Sequence, residues 1–216
     1  MKRSRGSRST FSTGAAVIGL DDTQEWLDGN NVIGVDEAGR GPLAGPMFIG
    51  VVSFNIEQAY AIDNIGLNDS KKLAEKKRFL IEDELLKYAK CAVGIVTVEE
   101  INSGINLNQL WSECAAVLVN NFLLKDSVVF VDGNIKISGV EKNIQITKPK
   151  FDSLSWAVAA ASIIAKNSQV RWMLDLSKKF SEYGFEKHKG YGVEAHYEAL
   201  RKYGMCNIHR KNWINL

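Results

Sequence analysis

The sequence predicts an α/β fold: a mixed β-sheet flanked by helices, with a small helical part at the C-terminal end. Short apolar runs of strand length alternate with longer segments of helical periodicity, in the order β-β-α-β-α-β-β-α. The first two runs, NVIGVDEAG and MFIGVVSF, are joined by a connection too short for a parallel crossover, so an antiparallel pair is expected. A late segment, AVAAASIIA, is small and apolar, as a close-packed helix would be. The length of 216 residues favours one domain, and 45% hydrophobic and 24% charged residues are the proportions of an ordinary globular chain.

Residues 1–20 carry four basic residues and no acid. This serine-rich stretch is expected to be a flexible extension, drawn as residues 1–28, with an organellar targeting peptide as the rival reading. The body, residues 29–216, opens with the NVIGVDEAG strand and the Gly/Pro turn that leads into MFIGVVSF, residues 47–54. From Asp69 onward, Leu73, Leu80, Ile81, Leu85 and Tyr88 recur at helical spacing. CAVGIVTV, residues 91–98, alternates as a strand. Residues 107–124 then place Leu107, Leu110, Trp111, Cys114, Leu118, Val119 and Phe122 on one helical stripe, with Asn106 as its cap. SVVFVDG, residues 127–133, reads as a buried strand ending on an acid, and NIQIT, residues 143–147, as the next strand. A long helix is expected from about Asp152 to Phe180, followed by the loop YGFEKHKGYG and a short helix near EAHYEALRKYG.

The net charge is +2, yet residues 21–141 sum to −9 and residues 142–216 to +7. Such asymmetry suits an acidic pocket combined with a surface facing a polyanion; solvated helices of differing charge would produce it too. Cys91, Cys114 and Cys206 are odd in number and form no CxxC pair, which argues against a disulfide framework or zinc knuckle and for buried free thiols. No apolar run reaches the ~18 residues of a spanning helix, so no membrane association is expected.

Within GVDEAGRGPLAGP, residues 34–46, Asp36 and Glu37 stand side by side where a strand should end. Successive strand side chains point to opposite faces, so bringing both acids to one site asks the chain to bend there. Gly39, Gly41 and Gly45, with Pro42 and Pro46, provide for a sharp exit from the sheet. A surface acid pair in a turn would account for these two residues as well. Asp132 closes VVFVDG, and Asp152 stands at the start of the small-residue helix, where an N-cap role is sufficient explanation. Together, four acids at element ends suit hard divalent cations, which bind through carboxylates and substrate phosphates. A pair of such ions can activate water and stabilise the leaving oxygen of a phosphodiester.

The same stretch, with NDSKKL (68–73), VDG (131–133), KFD (150–152) with AAASIIAK (159–166), HKGYG (188–192) and HRKNW (209–213), resembles in order the motif set of bacterial ribonuclease HII. The resemblance covers about residues 31–216, and the Gly39–Arg40–Gly41 triplet favours this branch over the related ribonuclease HIII group. It implies an RNase H-like fold and a metal-dependent endonuclease. Such an enzyme hydrolyses the phosphodiester 5′ to ribonucleotides in RNA–DNA hybrids, and at single ribonucleotides embedded in duplex DNA, leaving a 3′-hydroxyl and a 5′-phosphate. By this similarity Asp36, Glu37, Asp132 and Asp152 are the catalytic, metal-binding carboxylates, holding two Mg2+ or Mn2+ ions. Gly39, Arg40 and Gly41 match a loop whose backbone amides approach the 2′-hydroxyl, the group that separates RNA from DNA. Tyr191 matches a tyrosine that packs on the sugar of the following nucleotide, and Lys71 a phosphate contact. Lys72, His188 and Lys189 receive no role. The chain departs from the pattern at NSQVR, residues 167–171, where Val170 stands in place of a usual acid; helix packing or DNA contacts are in doubt there. A cytoplasmic monomer is the matching expectation.

Two other readings stay open: another metal-dependent nuclease of the RNase H-like superfamily, such as a resolvase, and a non-catalytic nucleic-acid-binding module using the basic C-terminal third. A two-carboxylate glycosidase does not fit, because adjacent acids cannot flank a glycosidic bond at the ~5 Å or greater separation it needs.

Overall fold

The computed structural model describes residues 20–62, 65–67 and 70–215. In chain order the elements are α1 (Leu20–Leu27), β1 (Asn31–Ala38), β2 (Met47–Phe54), α2 (Ile56–Ile62), α3 (Glu75–Tyr88), β3 (Lys90–Val96), α4 (Val98–Asn102), α5 (Leu107–Asn120), β4 (Ser127–Asp132), β5 (Gln145–Lys148), α6 (Trp156–Lys179), α7 (Phe185–His188) and α8 (Glu194–Tyr203). The sheet runs β3-β2-β1-β4-β5. β1 pairs antiparallel with β2, as the short turn between them requires, and parallel with β4. β2 and β3 are antiparallel and β4 and β5 parallel, so the sheet is mixed.

Alternation along the strands sorts their residues into two cores. Ile33, Val35, Ile49, Val51, Val129 and Val131 bury against Leu110, Trp111, Ala115 and Val119 of α5. On the opposite face Val32, Val52 and Phe130 bury against Ile81 and Leu85 of α3 and the small residues of α6. The approach of α6 is close enough that a Cβ on Gly34 would stand 2.1 Å from the Ala157 carbonyl carbon, and one on Gly50 2.2 Å from the Ala161 carbonyl oxygen. Glycines on the strands and alanines on the helix make that contact sterically possible, which explains the composition of AVAAASIIA. A third, smaller core of Leu43, Ala44, Met173, Tyr183, Phe185 and Leu200 forms the C-terminal part.

The boundary drawn at residue 28 moves towards the N-terminus, since α1 is part of the packed body. Trp26 is buried and donates its Nε1–H to the Phe54 carbonyl at 3.1 Å. Buried Asp22 accepts from the Ser155 hydroxyl and from the amides of Trp156 and Ala157, satisfying donors that the first turn of α6 leaves open. Burial pushes the Asp22 carboxyl up to about 6. Residues 1–19 lie outside the described residues, as do Asn68 and Asp69 of NDSKKL.

Ser155, not Asp152, caps α6; Phe151–Ser153 instead forms a 3-10 turn after Lys150 reverses the chain at φ 59°. The helix expected from Asp69 starts at Glu75, behind the 3-10 turn Ser70–Lys72. β3 stops at Val96 because Thr97 and Glu100 form a reciprocal capping box that starts α4. Asn106 caps α5 as expected, and α5 ends at Asn120. Val170 is buried in α6, so the departure at NSQVR keeps the helix packed, while neighbouring Arg171 grips Glu82 of α3 at 2.6 and 2.7 Å. The three cysteines are free and half-buried rather than fully enclosed. Among the described residues no helix is long and apolar enough to cross a membrane.

Candidate active site

β1 stays regular through the acids, with Asp36 opposite Gly50, Glu37 opposite Ile49 and Ala38 opposite Phe48. The bend expected at the acids comes after them, at Gly39, whose φ is 83°. The site opens on the other edge. The β1–β4 ladder ends at Val35 and Val131, so Asp36 and Glu37 run past their parallel neighbour while Asp132 closes it. Asp36 is 6% exposed. The Ser162 hydroxyl of α6 and the Glu37 amide, the latter at 2.7 Å, donate to its carboxylate. Glu37 accepts from Arg40 Nε at 2.9 Å and lines an open cleft together with Arg40, Asn108, Trp111, Asp132 and Gly133. Asp132 Oδ1 accepts from the Phe151 amide at 2.7 Å, which brings the chain segment of buried Asp152 up against it.

Burial, and then the charges of Glu37 and Asp132, push the Asp36 carboxyl well above the ordinary carboxylate range. As the side chains lie, no three His, Cys, Asp or Glu residues among the described residues form a group that could hold a metal ion. Asp36, Glu37 and Asp132 are turned instead onto protein donors. The donor set nevertheless fits a hard divalent cation: the donors that Asp36 has among the described residues are the neutral Ser162 hydroxyl and Glu37 amide, while Glu37 and Asp132 repel its charge.

Beyond Gly39 the glycine-rich loop is stitched to two later segments. The amides of Leu43 and Ala44 donate to the Gly190 carbonyl at 2.8 and 3.3 Å, and the Gly45 amide to the Ile208 carbonyl at 2.9 Å. The first of these contacts sets Tyr191 beside the loop: a Cβ on Gly41 would have the Tyr191 ring, at 3.7 Å, as its nearest neighbour. Gly39, Arg40, Gly41 and Tyr191 are thus gathered in space, although the Arg40 side chain turns to Glu37 and to Asn108, at 2.8 Å from the latter. Lys71 sits exposed in the Ser70–Lys72 turn. Ser70 of that turn bonds the Ser162 hydroxyl at 2.8 Å, so the turn connects through Ser162 to Asp36. Lys166, one helical turn past Ser162, places its ammonium 5.5 Å from the centre of the Tyr191 ring. Burial, then the charges of Arg78, Lys189 and Lys71, lowers the Lys166 pKa to about 8.

A family model described as ribonuclease HII matches residues 33–216. The chain belongs to the ribonuclease HII family. Among its relatives, the ribonuclease HII of Fusobacterium nucleatum is 46% identical over 193 residues, 87% of each chain. That of Rickettsia akari is 42% identical over 186 residues, 84% of this chain and 90% of the other. The crystal structure of the ribonuclease H2 from Pyrococcus horikoshii matches with a TM-score of 0.70 at 30% identity, covering 85% of this chain and 93% of that one. The fold is therefore RNase H-like, and the chain is a metal-dependent ribonuclease H, a hydrolase acting on nucleic acid. Ser70, Ser162, Lys166 and Arg210 all fall within ribonuclease HII motifs quoted from the sequence, yet only their spatial neighbours give them tasks.

Proposed function

We propose that the chain incises RNA–DNA hybrids, and duplex DNA carrying single ribonucleotides, on the 5′ side of the ribonucleotide, leaving a 3′-hydroxyl and a 5′-phosphate. The observation that carries this reading is the contact between the glycine loop and Tyr191 next to a buried, mutually repelling acid cluster. Asp36, Glu37, Asp132 and Asp152 would hold the metal, Mg2+ or Mn2+, in a two-ion arrangement. When bound, such ions supply positive charge against the phosphate and a more acidic water. The chain's own residues then have separable tasks. Ser162 fixes the rotamer of Asp36, and Arg40 keeps Glu37 turned to the cleft. The amides of Arg40 and Gly41 approach the 2′-hydroxyl, Tyr191 packs on the next sugar, and Lys71 contacts a phosphate. The protein acts as a cytoplasmic monomer in this reading.

A labelled DNA duplex with one ribonucleotide tests it. Incision at the 5′ phosphate is expected with Mg2+ or Mn2+ and not with chelator, and an all-DNA twin should stay intact. Incision undiminished by chelator, or equal on the twin, would overturn the proposal.

A further inference from the structure

HRKNW is the one quoted motif that the catalytic reading leaves without a task. Its Arg210 is 0% exposed, and no carboxylate pairs with it among the described residues. The guanidinium donates through Nε to the Gly45 carbonyl at 2.9 Å, through Nη1 to Arg40 at 2.8 Å and through Nη2 to Gly39 at 2.6 Å, and it lies 4.8 Å from the Trp213 ring centre. Burial lowers its pKa to about 10, so it stays charged at neutral pH. Enclosing a charge without a counter-ion is unfavourable, and an apolar side chain would fill the space without that cost.

A guanidinium does something an apolar group cannot: it fixes the direction of peptide planes. In a trans peptide the C=O and N–H point opposite ways, and no peptide bond among the described residues is cis. Drawing the carbonyls of Gly39 and Arg40 onto Arg210 therefore aims the amides of Arg40 and Gly41 away from it. Neither amide donates to another group among the described residues. The second of them belongs to Gly41, the residue against the Tyr191 ring.

We propose that Arg210 is a specificity-determining positioning residue, which selects ribonucleotides by holding the Arg40 and Gly41 amides ready for the sugar hydroxyl. This rests on the loop's role proposed above. Arg210→Lys keeps the positive charge but cannot span three carbonyls with a rigid fork. The readouts are kcat/KM at a single ribonucleotide, and the dissociation constants of that duplex and of its all-DNA twin measured without divalent metal. R210K is expected to lower kcat/KM about tenfold or more and to shrink the preference for the ribonucleotide duplex, with all-DNA binding changed by less than about twofold. A folded R210K with the parent's preference, or with equal losses on both duplexes, overturns the assignment.

Should R210K fail to fold, Asn102→Ala asks the same question from outside the loop. Asn102 brackets Arg210 by donating to the His209 carbonyl at 3.0 Å and accepting from the Lys211 amide at 2.9 Å. A smaller loss of the same preference supports the proposal, and an unchanged preference overturns it. If the parent itself shows no preference, the reading of the glycine loop fails. If the parent prefers the ribonucleotide and the variants do so equally, Arg210 alone is wrongly assigned.

Discussion

At Asp36 stability and the proposed metal-binding role pull in opposite directions. Its carboxylate is buried, repelled by Glu37 and Asp132, and held among the described residues by the Ser162 hydroxyl and the Glu37 amide. Asp36→Asn keeps the volume and removes the repulsion, so the variant is expected to be at least as resistant to urea as the parent when both are in chelator. Its incision rate should nonetheless fall by at least about a hundredfold, more than loss of an outer-sphere partner costs. A variant that is both markedly less stable and still active would show that the acid serves packing. The four acids stand out in the sequence because each is read there at the start or end of an element. Their partners were not, since Ser162 lies 126 residues beyond Asp36 in the numbering and only the fold joins them.

At the level of elements, one contact positions the site: α6 lies on β1 and β2 at the two glycines and brings Ser162 onto Asp36. Gly34→Ala places a methyl group against the Ala157 backbone, where no side chain can swing aside. The helix must lift, at a cost of about 3 kcal/mol or more. Urea titration followed by tryptophan fluorescence should report that loss, and a loss below about 1 kcal/mol would mean that α6 sits farther from the sheet. Alternation and helical spacing made the strands, α5 and the body of α6 readable. The ends were harder, because competing local chemistry decides them. Asp152 and Ser155 are both good cap residues, and Lys150 at positive φ gives the helix start to Ser155. The bend anticipated at Asp36 proved unnecessary, since it was β4, not β1, that ended early. α1 escaped notice because its anchors, Asp22 and Trp26, contact residues far along the chain.

Across the whole molecule, the glycine loop, the Tyr191 loop and the C-terminal segment meet around a chain of neutral histidines. His196 Nδ1 lies 3.0 Å from the Tyr191 carbonyl, which can only accept, so that nitrogen carries the proton. His196 Nε2 then accepts from His209 Nε2–H at 3.1 Å, and His209 Nδ1 accepts from the Cys206 amide at 2.9 Å. Charging either ring would set two donors against each other. Burial, and then the nearby His196, lower the His209 pKa to about 4, and burial lowers that of His196 as well. In the unfolded chain a histidine titrates near 6.5. Between these values the unfolded chain binds more protons than the folded one. The contribution of His209 to stability is therefore complete above about pH 6.5 and is lost as the pH falls towards 4, at about 1.4 kcal/mol per unit. Urea unfolding from about pH 7 to about pH 5 should show this slope, flattened in His209→Gln, which cannot take the proton. An equal slope in parent and variant would mean that the acid sensitivity arises elsewhere.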